Sequence, residues 1–250
     1  MTDTARPRIH VHADAETLSE ALADAVMAAA NAAIAMRGRF DVALSGGRTP
    51  RDLHARLVAR RADTDWSHWQ VYFGDERCVP PDHPDSNYRM ARETLLDHVP
   101  IPADQIHPMI GDRADLEDPA ATAAAYAERL KSLSQRDGWP VFDLILLGLG
   151  EDGHTASLFP DSALLACTDR PTVAGYVDRL AAWRISLTLP ILNHARVLYI
   201  AAAGASKAAV VARTLHGEGL DRPLPVQRLQ PRGELHWHLD HAAAERVPLP

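Results

Sequence analysis

FDLILLGLGEDGHTASLFP, Phe142 to Pro160, runs from a short apolar segment straight into a glycine-rich turn that carries Glu151, Asp152 and His154. The apolar run Phe142 to Leu147 has the length and composition of a strand covered on both faces, the kind found in parallel sheets. Glycines at 148, 150 and 153 let the backbone turn sharply and let a ligand approach the main chain. His154 then falls at the carboxyl end of a strand, where open α/β sheets bind their ligands.

GLGEDG also satisfies the G-x-G-x-x-G pattern of a dinucleotide-binding turn. Such a unit needs a crossover helix and a second strand ending in an acid about 20 residues on. Here fifteen residues separate Gly153 from Asp169, and Pro160 interrupts them. The pattern therefore does not argue for NAD. Among 13 histidines, His154 is set apart by two acids and three glycines in its turn.

Outward from this strand, the text alternates between short β-type runs and helical spacings. Arg8 to His12 reads as an opening strand. Leu18, Leu22, Val26, Ala29, Ala33 and Met36 then recur at helical intervals until Gly38. Phe40 to Leu44 is a second strand, Thr49-Pro50 opens a helix to about Arg60, and Trp69 to Gly74 is a third strand. Ser86 caps a helix to about His98, and Ala120 to Gln135 reads as one alanine-rich helix. Later strands are expected at Thr172 to Val177, Trp183 to Leu187, Val197 to Ala202 and Glu234 to Trp237, with helices near Ser206 to Leu215 and Asp240 to Ala244. This alternation predicts an α/β fold with a parallel or mostly parallel sheet and helices on both faces. No linker, repeat or low-complexity tract divides the chain, so residues 1–250 read as a single α/β catalytic domain, with Pro223 to Pro231 as an ordered loop.

With 46% hydrophobic residues, a chain of 250 can bury a proper core. A net charge of −7 and a pI near 6.0 argue against a general nucleic-acid or membrane-surface binder, while leaving room for a local anion site. Cys78 and Cys167 are too few and too far apart for a disulfide framework or a CxxC metal site. The opening MTDTARPRIHVHAD has no signal-like apolar block, and the most membrane-like segment, Ala21 to Met36, contains Asp24 and Asn31 and is short of spanning length. A cytoplasmic address is expected.

Three further segments carry chemistry. LSGGRTPRD, Leu44 to Asp52, places Gly46 and Gly47 after a strand, with Thr49 expected as N-cap, Pro50 as first helical residue and Asp52 completing a capping box. Two readings stand equally: a phosphate cradle of free amides at the positive end of a helix, or a tight strand-to-helix connection. In VYFGDERCVPPDHPDSNYRMARETLL, Val71 to Leu96, a strand ends in Asp75, Glu76 and Arg77; the acids can orient a base or bind a hydroxyl, and the arginine can hold an anionic oxygen. A local ion cluster on a solvated loop is the plainer reading. In RISLTLPILNHARVLYIAAAGASKAAVV, Arg184 starts a strand and Lys207 lies in a helix's first turn, where a cation is disfavoured unless an anion joins it; a solvated lysine is the other reading. There is no G-x-S-x-G elbow, no H-E-x-x-H helix and no Cys/His zinc spacing.

Taken together, SGGRTP, DERCVPPDHPDSNY, GLGEDGHTASLFP and the Arg184 to Lys207 segment closely resemble the 6-phosphogluconolactonase family, the lactonases of the oxidative pentose phosphate pathway. The terminal LQPRGELHWHLDHAA resembles that family's ending. The resemblance implies a three-layer α/β/α sandwich with a mostly parallel sheet, shared with glucosamine-6-phosphate deaminases and ribose-5-phosphate isomerase. It implies no cofactor and no metal, a small sugar-phosphate substrate, and a monomer or homodimer with neither nucleic-acid nor membrane partners.

By the same resemblance, His154 is the general base that takes a proton from water. Imidazole chemistry suits that role near neutral pH, and an activated lactone carbonyl needs only an oriented water. Asp75 is expected to orient the histidine or a substrate hydroxyl. Ser45, Gly46, Gly47 and Thr49 would receive the phosphate with Arg184 and Lys207 closing over it; Gly150 and Asp152 would complete the substrate site, and Arg77 would serve phosphate or oxyanion. The deaminase branch resembles the chain in the same loops, but it reads DGHIAFNEP and DEY where this chain reads DGHTASLFP and DER, and the ring-opening glutamate is missing. A sugar-phosphate sensor would carry a helix-turn-helix, for which no segment has room or basic charge.

Overall fold

The structure, a computed structural model, describes residues 7–217 and 221–247. Strand β1 (Arg8–His12) leads into α1 (Ala15–Arg37), which starts at an Asp14–Thr17 capping box and ends where Gly38 turns left-handed at φ 77°. At 23 residues α1 is long and apolar enough to cross a membrane by length and composition, longer than its Ala21 to Met36 stretch suggests. Its stripe of Leu18, Leu22, Val26, Met27, Ala30 and Ala33 packs instead into the protein core.

β2 (Phe40–Leu44), α2 (Arg48–Ala59), β3 (Trp69–Phe73), β4 (Asp75–Arg77) and α3 (Asn87–Thr94) follow. Ser86 caps α3 as expected, its Oγ accepting from the Arg89 N–H. The helix stops at Thr94, because Leu95 leaves helical geometry and only a 3₁₀ turn continues to His98. α4 (Pro119–Arg129) likewise ends six residues before Gln135. Gln135 belongs to a hairpin of β5 (Ser134–Arg136) and β6 (Trp139–Val141), closed by Asp137-Gly138 with both residues at positive φ. The Asp-Gly pair overrides the helix propensity of the alanines before it.

β7 (Leu144–Gly148), β8 (Thr172–Val177), β9 (Ala182–Leu187), α5 (Leu189–His194), β10 (Val197–Ala202), α6 (Ala208–Leu215), β11 (Glu234–Asp240) and α7 (His241–Ala244) complete the order. Six strands form a parallel sheet in the order β1-β11-β10-β7-β2-β3, flanked by helices, and this is the expected α/β/α architecture. Strands β8 and β9 leave that sheet: with β4 they make a separate antiparallel sheet of order β4-β9-β8.

The run that opens β7 is almost wholly enclosed, Phe142, Leu144 and Ile145 at 0% exposure. Its one polar residue, Asp143, accepts the Asp41 N–H at 2.9 Å and pairs with Arg37 and Arg196 at 2.8 and 3.2 Å. An acid inside an apolar strand is thus paired on every side and ties the amino ends of β2 and β7 together.

Candidate active site

Strand order makes a crevice between β2 and β7. The next strand of the parallel sheet after β2 is β3, on one side; after β7 it is β10, on the other. Connections that leave in opposite directions open a gap at the carboxyl ends of the two strands, where α/β sheets place ligands. Both glycine loops singled out in the sequence begin there, Ser45-Gly46-Gly47 after β2 and Gly148 to His154 after β7.

In the first loop, Gly47 and not Thr49 is the N-cap of α2, and no side chain caps the helix. At φ 113° Gly47 takes a backbone conformation that glycine tolerates best, so the chain enters the helix two residues early and Thr49, Pro50 and Asp52 fall inside it. Pro50 has no N–H, and the Arg48 and Thr49 amides are left uncapped at the positive helix end. The neighbouring Ser45 is buried, its Oγ without a hydrogen-bond partner among the described residues. A side chain at Gly46 would place Cβ 1.9 Å from Asn87 Oδ1, so this glycine lets the start of α3 close on the loop.

A cavity of about 450 Å³ joins these elements: Gly46, Gly47, Arg48 and Thr49 on one wall, Lys207 and Gly204 on another, Gly148, Leu149 and Glu151 on a third. Lys207, the N-cap residue of α6, thus lines the same cavity as the α2 loop. Beside it, about 320 Å³ of space is lined by Gly47, Arg48, Arg51, Arg77, Ser86 and Asn87 among others. Arg184 lines neither cavity but stands opposite Arg77 in the antiparallel pairing of β4 and β9. Its guanidinium makes no hydrogen bond or ion pair among the described residues, and burial, with the facing charge of Arg77, pushes its pKa down. Arg77 itself donates from Nη1 to the Asp85 carbonyl at 2.5 Å.

The three charges of β4 separate by role. Glu76 is 1% exposed and accepts from the N–H groups of Arg77, Asn87 and Tyr88 and from Ser86 Oγ, so it seats the start of α3 and has no capacity left for a base or a hydroxyl. Burial pushes its carboxyl above the usual range despite those donors. Asp75 accepts from Ser157 Oγ at 2.5 Å and Asn87 Nδ2 at 3.3 Å and makes no hydrogen bond or ion pair with His154 among the described residues. The carboxylate on the imidazole is that of Asp152, which is expected from the sequence among the substrate contacts.

Asp152 Oδ1 lies 2.5 Å from His154 Nδ1, leaving Nε2 without a hydrogen bond among the described residues and the side chain 31% exposed. Gly150 makes room for the pair: a Cβ there would lie 1.9 Å from His154 Nδ1 and 2.6 Å from Asp152 Oδ1. Burial works to raise the Asp152 carboxyl, but the hydrogen bond and charge of His154, with the charge of Arg179, bring it below the usual range. Arg179, in the turn between β8 and β9, ion-pairs with Asp152 and stands 4.3 Å over the Phe159 ring, which packs 4.3 Å from the imidazole. Arg179, Ser157 and Asn87 escaped the sequence reading. Arg179 stands in no motif, and only the excursion of β8 and β9 from the main sheet brings it to the dyad.

The family model described as glucosamine-6-phosphate isomerases/6-phosphogluconolactonase matches residues 13–237. The chain is 42% identical to 6-phosphogluconolactonase of Synechocystis sp. over 96% of its length and 98% of the relative's, and 40% identical to 6-phosphogluconolactonase of Homo sapiens over 97% and 94%. The structure of 6-phosphogluconolactonase from Trypanosoma cruzi superposes with a TM-score of 0.86 at 29% identity, covering 98% of each chain.

Proposed function

The chain belongs to the glucosamine-6-phosphate isomerase/6-phosphogluconolactonase family, and on that premise we propose that it hydrolyses 6-phospho-D-glucono-1,5-lactone to 6-phosphogluconate in the oxidative pentose phosphate pathway, with His154 activating the water. The observation that carries the residue assignment is the Asp152–His154 pair beside the β2/β7 crevice. A carboxylate on Nδ1–H fixes the tautomer that leaves the Nε2 lone pair free.

Nε2 takes a proton from water as the water oxygen bonds to C1 of the lactone. The carbonyl oxygen becomes an oxyanion facing the Arg77 and Arg184 side of the site. On collapse the bond from C1 to the ring oxygen breaks, and the imidazolium returns its proton to that oxygen, giving the open-chain acid. No side-chain nucleophile is needed, because the lactone is already an activated ester. The phosphate at the far end of the substrate fits the uncapped Arg48 and Thr49 amides, Ser45 Oγ and Lys207. Asp75, already bonded to Ser157 and Asn87, presents a fixed carboxylate to a sugar hydroxyl.

The test generates the lactone in place from glucose-6-phosphate and its dehydrogenase, then follows NADPH from added 6-phosphogluconate dehydrogenase. The expected result is acceleration well above spontaneous ring opening. A folded sample that gives no acceleration overturns the reading.

A further inference from the structure

β1 and β11 each carry a His-x-His pair, His10 and His12 on the first and His236 and His238 on the second. Their parallel register sets Arg8 opposite His236 and His10 opposite His238, so the alternation of side chains puts all four imidazoles on one face of the sheet. His10 Nε2 lies 3.1 Å from His236 Nδ1, and one nitrogen from each of His10, His236 and His238 falls within 4.8 Å of the others. His236 Nε2 lies 2.7 Å from a Glu234 carboxylate oxygen. That carboxylate holds the proton on Nε2 and turns the Nδ1 lone pair toward His10, the outer arrangement that metal-binding histidines ordinarily have. His238 is 4% exposed, and neither of its ring nitrogens has a hydrogen-bond partner among the described residues. Buried polar atoms are nearly always paired, so two orphans on one ring, stacked against His10 and His12, point to a missing partner.

We infer that His10, His236 and His238 form a binding site for a divalent transition-metal ion of the imidazole-preferring class to which Zn²⁺ belongs. Three nitrogens at about 2.1 Å from one ion lie within about 4.2 Å of each other, so closing the present 4.8 Å spacing takes χ2 rotations that unstack the rings and turn their nitrogen edges inward. Neutral imidazoles are the liganding form, and His10 needs only to carry its proton on Nδ1 for Nε2 to bind. His12, whose buried Nε2 also lacks a partner among the described residues, lies on the same face and stacks on the ring of His238 at 5.6 Å. Carboxylates and thiols are absent from the inner set, so Mg²⁺ and Ca²⁺ do not suit it. Spacing along the chain hides this site: its ligands come from strands 226 residues apart, and only the register of β1 on β11 assembles them. Such an ion would staple the first strand of the sheet to the last, apart from the chemistry at His154.

The test strips the full chain with a chelator, then titrates Co²⁺ while recording visible absorption and Zn²⁺ against a chromogenic chelator. One equivalent is expected, with tetrahedral Co²⁺ bands and a Zn²⁺-dependent rise in thermal midpoint. His10→Ala, at the partly exposed sheet edge, should weaken binding by at least about 10-fold, and Glu234→Gln by roughly 10-fold through the outer hydrogen bond. His154→Ala should leave the stoichiometry at one. Absence of binding by the folded chain, or binding that His154→Ala removes and His10→Ala does not, overturns the proposal.

Discussion

One carboxylate oxygen of Asp152 serves His154 twice, lying 2.5 Å from the ring Nδ1 and 3.2 Å from the backbone nitrogen of the same residue. The aim of the imidazole is therefore set within three residues of one turn, with Gly150 clearing the space and Arg179 neutralising the far side of the carboxylate.

Changing His154 to Ala removes the proposed base without touching the core. Turnover should fall by ~10²–10⁴-fold, the ordinary worth of general-base catalysis, while the circular dichroism spectrum is unchanged. Coupled NADPH assays on the variant check this, and unchanged kcat would remove His154 from the mechanism.

Arg179→Ala tests whether the ion pair to Asp152 matters. With the guanidinium gone, Asp152 loses the partner that holds it from the side away from His154, so kcat should fall by about 2- to 5-fold, the scale of a half-exposed ion pair, with KM nearly kept. Arg179→Lys should restore most of the loss. An unchanged kcat would leave Arg179 as packing over Phe159.

Lys207 shares its cavity with the uncapped start of α2. Lys207→Ala should mainly raise KM for the phosphorylated lactone, by about 10-fold, with kcat nearly kept, because a remote phosphate contact acts on ground and transition states alike. The same variant assayed on an unphosphorylated lactone should match the parent, and an equal loss on both substrates would refute phosphate contact.

His54 is fully buried, with Nδ1 2.7 Å from Thr94 Oγ1, and burial, aided by the charge of Arg51, lowers its pKa from 6.5 to about 4. Between those values the unfolded chain binds the proton and the folded chain does not, so stability falls as pH drops from 6.5 toward 4. The loss from this residue approaches about 3 kcal/mol at pH 4. Urea unfolding at pH 7.5 and 4.5 should show a smaller acid loss for His54→Leu than for the parent.

What the sequence made legible was local. The β2 and β7 runs, their glycines, the Ser86 cap and the Gly38 stop are each decided within a few residues, and each lies where its spacing predicts. The N-cap of α2 was misplaced because Thr-Pro is a strong helix start and nothing in the text announces the φ of Gly47. The roles of Asp75 and Glu76 were open because adjacent residues on a strand face opposite ways, and only the packing of α3 decides which one seats the helix. Arg179 was invisible because an antiparallel excursion that no periodicity encodes carries it to its partner.

β1 has one partner in the sheet, and that partner is β11. On a ribosome, β1 must therefore wait until β11, 226 residues later, has emerged before it can be docked. Until then Ile9 and Val11 travel beside a sheet that ends at β10. A stop codon just before Glu234 would cost two strands instead of one, and joining the ends into a circle with new termini cut elsewhere would bring the early partner and the late one out of the tunnel together.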